Sequence, residues 1–447
     1  MYILTNGRLI TRDPDAKGYY EKGAVVYEGS KIVEVGEEAA LTAKYPQAER
    51  IDARGGVIMP AFINAHTHIY SALARGLSIV GNNPTNFFEV LDGTWWAIDR
   101  HLTLEGTRAS ADALYIDCIK QGVTTIFDHH ASYCQIPGSL FQIGESAKKF
   151  GIRSCLCYEV SDRDGEEKCL EAIQENADWI TYCQEHKDPM LAAMFGGHAL
   201  FTISDKTFDR MVEANNSRTG YHIHVSEGMN DVYDSLQNYG RRPVQRLQDH
   251  GILGEKTILG HCIHVNTAEM EIIKETGTMV VNNPESNMGN AIGICPVLQL
   301  YKRGILLGMG TDAYTNDMLE SIKVALCSQR SQNCLPNVGW CEVTDMLFKN
   351  NAKIGAKYFP DQLGVLKAGA AADIIVMDYK PFTPFSDENI DGHMIFGMTG
   401  RQCQTTIAAG KLLMKDRELV GIDEEAENAH ILEASKKLWG SLNHREY

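Results

Sequence analysis

The chain has 447 residues, 44% hydrophobic and 22% charged, the balance of an ordinary globular protein. That length exceeds one simple core, so a large domain with a smaller companion, or two domains, is expected. Lys and Arg number 42 against 58 Asp and Glu, a formal charge of −16, which argues against nucleic acid as a partner and for a small-molecule substrate.

The N-terminal segment MYILTNGRLI lacks a basic lead, an apolar stretch and a cleavage site, so no signal peptide is expected. Residues 1–56 read as β: ILTNGRLIT, AVVYEGSKIVEVG and ERIDARGG alternate around Gly and Asn turns. From residue 57 onward eight short apolar strands alternate with longer amphipathic stretches. The strands are VIMPAFINAH, VTTIFD, IRSCLCYEV, MLAAMFGG, YHIHVS, KTILGHC, TMVVNN and ILLGMGTD, separated by helical segments such as EGTRASADALYIDCIKQG and TAEMEIIKETG. This alternation predicts a (β/α)8 TIM barrel, class α/β, over 57–362. β character returns after residue 362 in LGVLKAGAAADIIVMDY and QTTIAAGKLLMKD, and a last helix is expected near 424–440. Residues 1–56 plus 363–447 are therefore expected to pair as one small discontinuous β-sandwich.

Twelve cysteines lie scattered in apolar runs at no framework spacing. Reduced, buried thiols and a cytoplasmic location are the expectation. No apolar run reaches the ~18 residues of a membrane span.

Barrel enzymes carry their chemistry at the C-terminal ends of the strands. Strand 1 ends in His66 and His68, which share one face because strand side chains alternate with period two. Strand 2 ends in Asp128, His129 and His130, strand 3 passes Glu159, and strand 4 ends in His198. Strand 5 carries His222 and His224, with Glu227 just beyond. Strand 6 ends in His261, strand 7 in Asn282 and Asn283, and strand 8 in Asp312. Eight of the 15 histidines thus fall on one rim, which core packing does not require. One HxH spacing arises by chance. His66, His68, His224 and Asp312 at the ends of strands 1, 5 and 8 make a donor set for a divalent metal. Zinc is the first expectation, and iron or manganese also suit three imidazoles and a carboxylate. His129, His130, His222 and His264 read equally as structural histidines or as supports behind the ligands.

The motifs IMPAFINAHTH, HIHVSE, LGHC, GTD and LGVLKAGAAADIIVMD, together with the split β-sandwich, resemble the amidohydrolase superfamily over nearly the whole chain. Within it the chain is similar to the branch of cytosine, guanine and adenosine-analogue deaminases and triazine hydrolases. TTIFDHHAS and the tryptophan-rich loop are most similar to the SsnA-type aminohydrolases. The resemblance implies His66, His68 and His224 as metal ligands. It implies Asp312 as ligand and partner of the attacking water, and Glu227 as proton shuttle. His261 would orient the water or the departing group. His198 in GGHALFT resembles a substrate-facing histidine, and Arg75, Glu159 and Trp95 are further candidates for the pocket. Relatives with two metals carry a bridging carboxylated lysine on strand 4; MLAAMFGGHA has none, so one metal is expected. Asn282 stands where many relatives have histidine, and Ser71 where purine-type deaminases often have glutamine.

The implied reaction is hydrolysis of a carbon–nitrogen bond in a cyclic amidine, a purine-like ring, by water activated at the metal. The same residues could open a cyclic amide such as an oxidised purine or ureide. A catalytically dead structural relative is the third reading, opposed by the presence of every ligand position and Glu227. A homo-oligomer, dimer or larger, is expected by analogy.

Overall fold

The computed structural model describes residues 1–447. Five strands form early: β1 (Tyr2–Ile10), β2 (Tyr19–Glu28), β3 (Lys31–Glu37), β4 (Glu49–Asp52) and β5 (Val57–Pro60). Nine more follow: β6 (Phe62–Thr67), β7 (Val123–Asp128), β8 (Arg153–Leu156), β9 (Leu191–Ala193), β10 (Phe195–Ala199), β11 (Tyr221–Val225), β12 (Ile258–His261), β13 (Met279–Asn282) and β14 (Leu307–Met309). The last four are β15 (Ile374–Met377), β16 (Cys403–Ala408), β17 (Lys411–Lys415) and β18 (Glu418–Leu419).

Strands β6 to β14 run parallel and, apart from β9 and β10, are separated by helices, the architecture of a TIM barrel. The fourth barrel strand is broken at Met194: β9 pairs with β8, and β10 pairs with β11. A bridge between Val160 and Gly197 spans that break, and one between Thr67 and Asp312 closes the ring. Closure demands glycine at 310. A Cβ there would lie 2.7 Å from His66 Cβ and 2.5 Å from Asn283 Oδ1.

Both chain ends build one sheet, in which β5 lies between β1 and β15 and β16 to β18 continue outward. The expected first barrel strand VIMPAFINAH is therefore two strands. β5 runs antiparallel to β15 in this sheet, and β6 runs parallel to β7 in the barrel. Pro60 has no N–H to extend a ladder, and the next two amides go to different partners, Ala61 to Asp373 and Phe62 to Gly122.

Helices seal the barrel wall. α1 (Leu104–Gln121) starts at Thr103, whose hydroxyl accepts from the Gly106 amide, and stops at Gly122 with φ +78°. The last helix, α2 (Glu424–Asn443), packs along α1 and is pinned at both ends by the pairs Lys120–Glu424 and Lys437–Glu105. The buried Arg153 guanidinium at the base of β8 pairs with Asp373, tying barrel to sheet. No helix is long and apolar enough to cross a membrane.

Candidate active site

The barrel strands deliver imidazoles and carboxylates to one rim. His66 lies within β6 and His68 just after it, His224 lies within β11, and His261 ends β12. Asp312 and Glu227 follow β14 and β11 by a few residues. Four non-glycine residues on this rim take the left-handed conformation: Ser226 (φ +49°), His261 (+68°), Cys262 (+47°) and Asp312 (+55°). Such backbone costs of order 1–3 kcal/mol per residue and clusters at functional sites.

His68 Nε2 sits 2.7 Å from Asp312 Oδ1, and His66 Nε2 lies 3.7 Å from the same oxygen. The Nε2 atoms of His66 and His224 face each other at 3.3 Å. His261 Nε2 is 3.8 Å from Asp312 Oδ2 and 3.6 Å from Glu227 Oε1. Two overlapping quartets have all their donor atoms within 4.8 Å: His66, His224, His261 and Asp312, and His68, His129, Glu159 and His224.

The electrostatics ask for a cation. Burial lowers the pKa of His66 to about 3 and that of His224 well below normal, so both rings are neutral and offer lone pairs. Burial also opposes charge on His68, but Asp312 and Glu159 outweigh it and push its pKa up to about 9. Asp312 is buried too, yet His68 and His66 hold its pKa well below the carboxylate range. In the protein alone a proton on His68 balances the carboxylates. Neutral imidazole nitrogens facing one another beside an ionised Asp312 fit a divalent metal in that proton's place.

A second layer fixes these groups. His66 Nδ1 meets His222 Nε2 at 2.8 Å, and His68 Nδ1 donates to the His129 carbonyl at 2.5 Å. His129 Nε2 donates to the carbonyls of Gly197 and His222, while its Nδ1 lies 3.0 Å from Glu159 Oε1. Asn287 Oδ1 meets His261 Nδ1 at 2.8 Å, and the Ser286 hydroxyl donates to Asp312 Oδ2. Glu227 differs from all of these. No protein donor bonds its carboxyl, which is 8% exposed, and burial with the nearby Asp312 raises its pKa well above normal.

Above the rim the segment after strand 1 folds into short helical turns, Phe87–Val90, Leu91–Trp95 and Trp96–Asp99. Tyr70, Phe87, Leu91 and Trp95 roof the space over His68, His224, Glu227 and Asp312. Trp95 also borders a cleft of about 160 Å3 lined by Ser71, Arg75, Asp117, Tyr314 and Asn316.

The structure brings together His66, His68, His224, His261, Asp312 and Glu227, and it places Trp95 on the roof. It places Arg75 at the cleft, paired with Asp117 at 3.0 Å. Glu159 and His198 line neither space. Glu159 lies behind His68 and His129, and His198 Nδ1 bonds Thr202 while its ring edges onto Trp96. Of the ambiguous histidines, His222 and His129 support the cluster directly. His130 bonds Ser132, and His264 bonds the Ile292 carbonyl away from it. Asn282 Oδ1 accepts from Asn287, and the Ser71 hydroxyl from the strand 1 loop donates to the His68 carbonyl. Sequence reasoning missed Ser286 and Asn287, although both stand within five residues of Asn282, which it named, and it missed Tyr70, two residues past His68.

The Amidohydrolase family profile matches residues 57–413, and an Imidazolonepropionase-like composite domain profile matches residues 23–48. The chain belongs to the amidohydrolase family, hydrolases of carbon–nitrogen bonds. It is 30% identical over 452 residues to the 5'-deoxyadenosine deaminase of Methanosarcina mazei, covering 99% of each chain. It is 31% identical over 400 residues to the 5-methylthioadenosine/S-adenosylhomocysteine deaminase of Thermococcus sibiricus, covering 88% of this chain and 90% of that one. Its fold matches a zinc-bound adenosine deaminase from Xanthomonas campestris with a TM-score of 0.85 at 22% identity, over 98% of both chains.

Proposed function

We propose that the protein is a metal-dependent aminohydrolase that replaces an amine by oxygen on a purine-like heterocycle. His66, His68, His224 and Asp312 would hold one divalent ion, zinc in the first instance, as in the zinc-bound neighbours. When bound, such an ion would lower the pKa of water toward neutrality and so supply the nucleophile. The observation that carries the reading is Glu227. It is the one carboxyl in the cluster that no protein donor engages, and it faces the space over His224 and Asp312.

Each side chain then has a task. Glu227 takes a proton from the attacking water and delivers it to the ring nitrogen beside the carbon under attack. Asp312, ionised and oriented by Ser286, accepts a hydrogen bond from the water and helps protonate the departing amine. His261, held by Asn287, steers the incoming oxygen from the side of Glu227. His222 and Glu159 orient His66 and His68 from behind. The roof of Tyr70, Phe87, Leu91 and Trp95 excludes bulk water and covers a flat ring. Twelve unpaired cysteines are compatible with work in a reducing cytoplasm.

The test is product mass after metal-loaded protein meets a panel of aminopurines, aminopterins, oxidised purines and cyclic ureides. Nitrogen exchanged for oxygen, with one ammonia per turnover, is expected. Gain of a whole water without ammonia would mean ring opening instead.

A further inference from the structure

The roof over the cluster hangs from the far end of the chain. The segment that leads from β6 into the roof is held to the end of α2 by three hydrogen bonds. Trp439 Nε1 donates to the Leu73 carbonyl at 2.8 Å. Asn443 Oδ1 accepts from the Val80 amide at 2.7 Å, and its Nδ2 donates to the Ser78 carbonyl at 3.0 Å. The Trp439 ring also covers Gly76, 3.8 Å from where a Cβ would stand.

Beyond this root the chain turns at Gly81 (φ +81°), a conformation glycine adopts freely, and no atom lies within 4 Å of a Cβ built there. Residues 82–94 then close on themselves. Asn82 Nδ2 donates to Thr94 Oγ1 at 2.8 Å, and Glu89 Oε2 accepts from the Thr85 amide at 2.6 Å. Residues 82–91 make no hydrogen bond to the barrel. Phe87 lies against Gly228, and the Phe88 ring packs 6.4 Å from that of Phe201. At the far end Arg100 pairs with Asp92 at 3.2 Å and with Asp164 at 2.7 Å.

This cap has reason to move. The space it leaves over His68, His224, Glu227 and Asp312 is about 20 Å3, enough for one water, which needs ~10–15 Å3. A cavity for one benzene-sized ring is ~150 Å3. The cleft of about 160 Å3 alongside touches Asp312 but neither His224 nor Glu227. A ring that reaches Glu227 therefore displaces the cap.

We propose that residues 82–94 form a lid that pivots at Gly81, and that Asn443, with Trp439, is a positioning residue that sets its closed position through Ser78, Val80 and Leu73. This rests on the metal-site reading above and not on which bond is cleaved.

The experiment uses the full-length protein with zinc as the probe. Asn443→Ala loses both of its bonds to the root, and loss of one such bond shifts an equilibrium about two- to tenfold. Hydrogen exchange read by mass spectrometry should quicken about threefold or more in peptides covering 78–95, with barrel-strand peptides and the melting transition unchanged. Zinc release into excess chelator and zinc uptake should quicken by one common factor with Kd unchanged, because a lid alters access and not the ligands. Asn443→Asp keeps an acceptor for the Val80 amide and should stay within about twofold of wild type. For any heterocycle of the panel that turns over, Asn443→Ala should raise KM about two- to tenfold with kcat little changed. Unchanged exchange overturns the tether. Faster exchange with unchanged zinc rates overturns the lid, and a changed zinc Kd overturns it too, making Asn443 a prop of the cluster. Faster zinc exchange without turnover of any heterocycle supports the lid and overturns the hydrolytic reading. Loss of protection over 78–95 in a chain that binds no zinc supports the tether and overturns the metal reading.

Discussion

His222→Leu tests whether the layer behind the ligands tunes the metal. His66 Nδ1 meets His222 Nε2 at 2.8 Å, and neither ring is exposed to solvent. For His66 to offer Nε2 to a metal, its proton must sit on Nδ1 and be donated to His222. Leucine keeps the volume and removes the acceptor, so that N–H loses its partner in the barrel interior. An unmet buried donor costs ~1–3 kcal/mol, and loss of such a supporting group typically weakens metal binding ~10–100-fold. The apparent zinc Kd, measured by competition with a chromogenic chelator, should rise by that factor. His222→Gln restores an acceptor near the lost nitrogen and should stay within about threefold of wild type. A leucine variant that melts as wild type and binds zinc with the wild-type Kd would refute this role for His222.

Three further outcomes follow from the same geometry. Glu227→Gln should lower kcat by ~10²–10⁴ with metal content unchanged by elemental analysis; near-normal turnover would remove Glu227 from the mechanism. Gly310→Ala places a Cβ 2.7 Å from His66 Cβ and 2.8 Å from its carbonyl oxygen, an overpacking that should cost ~1–3 kcal/mol in denaturant melts. Arg153→Met strands the buried Asp373, which also accepts from the Ala409 amide, and should destabilise the fold by ~3–5 kcal/mol. A variant with the wild-type midpoint would show that the pair does not tie barrel to sheet.

Much of the rim was legible because a strand's period of two fixes which neighbours share a face. His66 and His68 converge with His224 and Asp312 since every barrel strand points the same way and each ends at the same level. The strand boundary at Pro60 was not legible. Every residue of Val57–Pro60 and Phe62–Thr67 is buried, so no alternation marks the change from one sheet to the other. Glu159 illustrates a different limit. Its place at a strand end predicts the rim, but not whether the carboxyl enters the pocket or backs a neighbour. That choice depends on His129, 30 residues earlier, and His68, far earlier still. The make-up of the cleft is equally long-range, since Arg75, Asp117 and Asn316 come from three distant segments.

The left-handed conformations of Ser226, His261 and Asp312 give the protein two competing directions of change. Glycine relaxes such a backbone more readily than the residues present. A lineage released from catalysis would drift toward those substitutions and gain a sturdier barrel as it fell silent. A lineage under selection for turnover must retain the tension and find its stability elsewhere, in sites such as the joint between Arg153 and Asp373. Screens for heat-resistant variants of this chain should therefore collect inactive ones at Asp312 and His261, unless hydrolysis is selected alongside survival.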